Sequence, residues 1–286
     1  MTEPAIAILP YGRRLGPGLS AMPLADLIWP LGCPDRLKGG SVGDLGPQDH
    51  LLVYPRTDIH FRLRRGTRAR ISLIMAEPEV IHRKHLRLLR LSWRRFYRIL
   101  TFNEGLLQAV PNAVLFPLGT TWVPEWRDLP LDKTAMCSLI ASAKRDSEGH
   151  KLRHAMVDWS RATGQQVTVL GRGYTPFEAK AEGLAPYRYS IVIENVRETN
   201  YFSEKLMDAV LCNTVPIYWG CPNLDRFMNP EGIIQCRTEA DLRAAVAAMS
   251  VEDFEARLPQ LRRLQGELQR YIDIDARAAE VIQKSL

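Results

Sequence analysis

The side chains best suited to chemistry lie between Ala185 and Gly220, in APYRYSIVIENVRETNYFSEKLMDAVLCNTVPIYWG. YSIVIEN is a β-branched run ending in Glu194 and Asn195, which predicts a buried strand that delivers a carboxylate and an amide at its C-terminal edge. Open α/β sheets bind their ligands at that edge. Ser203 is the expected N-cap of a helix whose apolar side carries Leu206, Met207, Val210 and Leu211, so Glu204 and Lys205 fall in its first turn. The free N–H groups and positive dipole end of a helix start attract an anion, and Lys205 adds a full charge beside them. That combination suits a phosphate. VPIYW then reads as a second strand closed by Gly220. Taken alone, the same residues also fit helix-surface charges and a turn asparagine.

Elements that could hold these groups in place follow from the alternation of strand-like and helix-like segments, which argues for α/β architecture over a bundle or a sandwich. The strand candidates AIAILPY, HLLVYP, RISLIMAE, RILTF and AVLFPLG form a small Rossmann-like first half, with a basic helix and NEGLLQAV between the later ones. VPEWRDLPLDK, with two prolines and mixed charge, is the expected linker. It divides the chain into domains at 1–130 and 131–286. The second half continues with the strand TAMCSLIAS, a helix from about His150, QVTVLGRG, the segment above, GIIQC and EADLRAAVAAM. A helical tail from Val251 follows, with an interruption expected at Pro259.

At 286 residues and 46% apolar content the chain can bury two sizeable cores. It contains no run near the roughly 18 apolar residues of a transmembrane helix, and MTEPAIAILPYGRRLGPG lacks signal-peptide anatomy, so a cytoplasmic protein is expected. The five cysteines show no metal-ligand spacing and read as reduced thiols. Charge is uneven: residues 1–130 carry 18 Lys and Arg against 11 Asp and Glu, so the whole-chain excess of +6 resides there. It concentrates in FRLRRGTRAR and HRKHLRLLRLSWRRFYR, where Arg83, Lys84, Arg87, Arg90, Arg94, Arg95 and Arg98 are expected on one helix with Leu86, Leu89, Trp93 and Phe96. Such a helix is either a solvated face over a buried stripe or a surface for an anionic acceptor or membrane, possible as a peripheral contact at the inner membrane face. Charge alone also fits nucleic-acid binding, but no nucleic-acid module is present in the sequence and no nucleic-acid partner is expected.

The segment from Tyr187 to Gly220 resembles the donor-binding signature of the α-1,3/4-fucosyltransferases. The shared features are the tyrosine-led strand ending in Glu-Asn, the aromatic Tyr201 ahead of Ser203-Glu204-Lys205, and the close Val215 to Gly220. SLIASAKRDSEGHKLRHAMVDW is similar to a second family element, with Arg153 near a helix start, and GRGY at Gly171 to Tyr174 to a third. The resemblance implies a GT-B fold: two Rossmann-like domains facing across a cleft, an acceptor-side domain followed by a donor-binding domain, and a helical C-terminal tail that crosses back. It also implies GDP-fucose as donor, inversion at the transferred sugar, and a cell-surface glycan precursor, free or lipid-linked, as acceptor. The lack of a membrane anchor fits the bacterial type.

On that resemblance Arg153 meets the donor diphosphate, a role for which the planar, permanently charged guanidinium is suited. Lys144, Arg145 and Lys151 are rivals for it. Inverting transfer needs a carboxylate to take the acceptor proton, and the family places it after an N-domain strand, which corresponds here to Glu77, with Glu79 as the alternative. Lys205 joins Arg153 on the diphosphate, and Glu204, Asn195 and Tyr201 position ribose or sugar. No cofactor and no metal are expected, and Asp273-Ile274-Asp275 reads as surface charge. Two other functions fit the same fold: transfer of a different nucleotide sugar, and a non-catalytic role in glycan assembly.

Overall fold

In the computed structural model, which describes residues 3–130 and 132–286, the alternating runs form two five-stranded sheets whose paired strands are all parallel. The chain divides into two compact units, Met1–Leu118 with Asp273–Leu286, and Gly119–Ile272.

In the first unit the strands β1 (Ile6–Ile8), β2 (His50–Val53), β3 (Arg70–Ile74), β4 (Ile99–Thr101) and β5 (Ala113–Leu115) lie in sequence order across the sheet. Parallel strands in sequence order follow from crossovers of one hand, which gather on one face. That face is covered by α1 (Glu79–Ser92), α2 (Glu104–Ala109) and the long β1–β2 connection, with Leu51, Val53, Ile71, Leu73 and Ile99 packing against Leu19, Leu24, Leu45, Leu89 and Leu106. The opposite face exposes the alternate residues Ile6, Ile8, Leu52, Ile74 and Leu100. It is closed by α7 (Ile274–Gln283), whose Ala278, Ala279 and Ile282 are fully buried against it. A parallel sheet must be covered on both sides, and here the second cover comes from the end of the chain.

In the second unit the order is β10 (Ile234–Gln235), β9 (Val215–Trp219), β8 (Tyr187–Ile193), β6 (Ala135–Ile140), β7 (Val167–Leu170). The direction of winding reverses between β6 and β8, which makes their C-terminal ends the topological switch point. α3 (Glu148–Thr163) and α4 (Glu204–Leu211) start beside it, and α5 (Glu239–Ala247) and α6 (Val251–Leu268) complete the unit.

Four details depart from the sequence expectations. The basic helix ends at Ser92, whose hydroxyl turns back to Leu88 O at 3.0 Å; Trp93–Arg95 form a 3-10 turn and Arg98 leads into β4. Pro259 lies inside the unbroken α6, and the break falls instead at Asp273, whose Oδ1 caps α7 through Ala276 N at 2.8 Å. Asp275 is half-buried beside Tyr54, and burial followed by the charge of Asp273 raises its carboxyl above the usual range. The unit boundary falls at Leu118–Gly119, ahead of VPEWRDLP, because Thr121 Oγ1 and Trp122 N bond Asp208 Oδ1 (2.6 and 3.1 Å) and Val123 is buried.

Gly149 shows how tightly the switch point is closed. A Cβ there would lie 1.7 Å from Glu194 O, whereas one at Gly266, in α6, would meet nothing within 4 Å. Gly149→Ala is therefore expected to cost about 3 kcal/mol or more by overpacking, and Gly266→Ala to stabilise by about 1 kcal/mol through helix propensity. Urea unfolding of the two variants checks the pair; equal effects would show that the α3 start can shift.

Candidate functional site

β8 emerges at Glu194, which is fully buried and would be costly to keep charged without partners. The start of α4 provides them. Ser203 N donates to Glu194 Oε1 at 2.8 Å and Ser203 Oγ to Oε2 at 2.7 Å, while Lys205 Nζ lies 3.6 Å from Oε2. Ser203 also caps the helix, accepting from Lys205 N at 3.3 Å and Lys205 Nζ at 3.1 Å. Lys205 is thereby fixed close to its own backbone, and its ammonium reaches Glu204 Oε1 at 3.1 Å as well. Burial alone would lower the Lys205 ammonium, but Glu194 and Glu204 outweigh it and hold it above its ordinary value. Burial pushes Glu204 the other way, and Lys205 and Lys180 hold its carboxyl below the usual range.

Arg153 comes from the second turn of α3 and is 5% exposed. Its Nε donates to Ile193 O at 3.0 Å, and Nη2 bonds the same carbonyl and Asn195 Oδ1, the latter at 3.2 Å. Gly149 N donates to Asn195 O at 3.0 Å, so the starts of α3 and α4 are both tied to the β8 exit. Burial lowers the guanidinium from its ordinary value, with Glu194, Tyr201 and Glu204 opposing the shift.

A cavity of about 280 Å³ opens at the switch point, lined in part by Arg153, Asn195, Glu204 and Lys205. Four of the five donor-site residues expected from sequence thus converge on one cavity. Tyr201 does not line it; it is 2% exposed, in the core below. Of the rivals to Arg153, Lys144 lines the cavity. Glu77 is in the other unit, exposed on the bend after β3, and Glu79 begins α1 and accepts from Asn103 Nδ2 at 3.4 Å.

The structure adds residues that the sequence reading missed. Lys180 lines the cavity with its Nζ 2.7 Å from Asp208 Oδ2 and 3.9 Å from Glu204 Oε1, and 4.9 Å from the centre of the Trp122 ring. Burial outweighs Lys180 at Asp208 and raises its carboxyl. His150, bonded to Asp146 Oδ1 at 2.6 Å, and Trp122, 65% exposed, also line the cavity. Asp208 had a legible signal: it lies one helical turn after Glu204, so both carboxylates share a face. Lys180 had none, since it sits in a 3-10 turn outside any periodic pattern.

Chemically, the cavity presents four cations, Lys144, Arg153, Lys180 and Lys205, over a floor of strand ends and two helix starts, a setting for an anion such as a diphosphate. Among the described residues no group of His, Cys, Asp or Glu is arranged to hold a metal ion.

Comparison with known proteins bears on the family and the fold. A model of the glycosyltransferase family 10 (fucosyltransferase) C-terminal region matches residues 129–275. The alpha-(1,3)-fucosyltransferase of Helicobacter pylori is 36% identical over 55 residues, 19% of this chain and 12% of that protein. A fucosyltransferase-like protein of Arabidopsis thaliana is 35% identical over 48 residues, 17% of this chain and 9% of its own length. The matched stretches are thus a small part of both curated relatives. Among solved structures, an alpha1,3-fucosyltransferase with GDP-fucose superposes with TM-score 0.51 at 18% identity, covering 75% of this chain and 70% of that one. TarM gives 0.58 at 7% identity, over 83% and 55%. At such identities the likeness shows the fold, two parallel sheets with helices in the GT-B arrangement of elements. Because the family model spans just over half of its residues, Arg153, Lys180, Asn195, Glu204 and Lys205 among them, this chain belongs to glycosyltransferase family 10, the fucosyltransferases.

Proposed function

We propose that the protein is an inverting fucosyltransferase that moves fucose from GDP-fucose to a hydroxyl of a cell-surface glycan precursor. The observation that carries this reading is the convergence of Arg153 and Lys205, with Asn195 and Glu204, on one cavity at the switch point of a parallel sheet. The nucleoside diphosphate sits there, its phosphate oxygens meeting Arg153 and Lys205, and Lys180 supplies a third cation. Glu204 and Asn195 orient the ribose or sugar. Tyr201 acts from the core, by supporting the start of α4.

In the transfer step Glu77 takes the proton of the acceptor hydroxyl as that oxygen bonds the anomeric carbon. The bond from that carbon to the β-phosphate oxygen breaks on the opposite face, and its electron pair departs with GDP. The cations stabilise the charge that develops on the leaving oxygen, so catalysis rests on positioning and electrostatics. A cavity of about 450 Å³ at the ends of β1 and β2, lined by Tyr11, Arg13, Tyr54, Arg56 and His85, lies on the same sheet edge as Glu77 and suits the acceptor.

Thermal denaturation with added nucleotides tests the donor. GDP is expected to raise the melting temperature more than UDP or ADP at equal concentration, since a ligand of the native state stabilises by mass action; equal shifts with all three would remove the guanine assignment.

Lys205→Ala should lower turnover about a hundredfold, on the order of 3 kcal/mol. At Arg153 the conservative Arg153→Lys is the sharper probe, because deleting a side chain that satisfies Ile193 O also costs fold stability. It should lose turnover by a similar factor while the protein still melts cooperatively. Release of GDP with time measures both, and near-normal rates would return either residue to a structural role.

Glu77→Gln keeps the shape of the side chain but cannot take a proton at neutral pH, so transfer should collapse while GDP binding is unchanged; Glu79→Gln should be mild. Exchanged phenotypes would make Glu79 the base, and two active variants would move proton transfer elsewhere.

A further inference from the structure

The first unit carries a surface that none of the proposed chemistry uses. α1 turns His82 and Leu89 inward and leaves Arg83, Lys84, Arg87 and Arg90 exposed, together with Val80 (48%), Ile81 (54%) and Leu91 (85%). At 3.6 residues per turn the exposed side chains share one continuous arc, with Val80 and Leu91 between Arg87 and Lys84.

A second element presents the same chemistry beside the end of that helix. Phe61 is 64% and Leu63 89% exposed, on a segment that also carries Arg62, Arg64, Arg65 and Arg68. This segment is held in place. Arg95 Nη2 donates to Arg62 O, Arg65 Nη2 donates to Arg95 O at 2.7 Å, and the Arg65 guanidinium stacks 5.5 Å from the centre of the Phe96 ring. Just before it, His60 bonds Ser92 Oγ at 2.9 Å and His85 Nδ1 at 3.0 Å. The protruding Phe61 and Leu63 are therefore carried by a fixed loop.

The charge is one-sided. Residues 61–98 contain twelve Arg and Lys against two acids, Glu77 and Glu79, both near the start of α1. A purely solvated face has no use for leucines exposed this far, and a polyanion site needs the arginines but not the apolar tips. An anionic bilayer satisfies both, since lipid phosphates meet the cations and the headgroup boundary takes up the apolar side chains.

We propose that this face docks the protein peripherally on an anionic phospholipid bilayer, with Phe61, Leu63 and Leu91 entering the headgroup boundary and Arg64, Arg83, Arg87 and Arg90 against the lipid phosphates. No helix among the described residues is long and apolar enough to cross a membrane.

Co-sedimentation with vesicles of phosphatidylglycerol and phosphatidylethanolamine, against vesicles of phosphatidylcholine alone, tests this on the full chain. The protein should sediment with the anionic vesicles only, and added salt should release it. Arg64→Glu, Arg83→Glu and Arg87→Glu together should weaken the partition about a hundredfold or more. Leu63→Ser with Leu91→Ser should weaken it several-fold without changing the salt dependence. All five side chains are exposed, so melting and GDP response should match the wild type. Failure to bind anionic vesicles, equal binding to neutral ones, or indifference to the charge reversals would overturn the proposal. So would DNA or polyphosphate binding tighter than vesicles and unaffected by the leucine changes, which would mark a polyanion surface.

Discussion

One buried carboxylate sets the geometry of the candidate donor site. Glu194 lies at the mouth of β8 with no exposed surface, and an isolated charge in that position would cost several kcal/mol. Ser203 takes up both oxygens and Lys205 adds its charge, so the partners that stabilise Glu194 are the first residues of α4. The same strand exit fixes the other elements. Gly149 brings the start of α3 to the carbonyl of Glu194, and at Gly220, which closes β9, a Cβ would lie 2.6 Å from Glu194 Cγ. Moving α4 would leave the carboxylate unpaired, and a side chain at Gly220 would crowd it.

From that arrangement comes an alternating lattice of charge. Lys205 lies between Glu194 and Glu204, and Lys180 between Glu204 and Asp208. Arg153 differs from these two lysines: its bonds are to a carbonyl and an amide oxygen, with no carboxylate in bonding contact among the described residues. On the proposed reading an incoming diphosphate gains most against Arg153, while Glu194 and Glu204 hold Lys205 charged beside it. Preorganised charge of this kind needs no rearrangement when a phosphate departs.

Much of this was legible in the sequence because it is local. The β-branched run of β8, the Ser203 cap and the apolar positions of α4 are set by short-range periodicity and capping, and they bring Asn195, Glu204 and Lys205 to one place, whereas Arg153, on α3, was indicated by the family resemblance. What the sequence did not show depends on distant partners. Tyr201 precedes the cap but is drawn into the core, and Lys180 finds Asp208 only through the fold. The proline rule predicts a break at Pro259, yet α6 continues through it because packing of Phe254, Leu261 and Leu264 outweighs one lost backbone bond. That the tail returns to the first unit was implied by the family resemblance, but which apolar face α7 covers only the topology reveals.

A crystal structure of the protein with GDP bound tests the central claim most directly, that the Glu194-anchored switch point is the diphosphate site. The account predicts phosphate oxygens at about 3 Å from Arg153 Nη1 and Lys205 Nζ, the distance of a charge-assisted hydrogen bond. GDP seated elsewhere, or bound with its phosphates turned away from both cations, would contradict it.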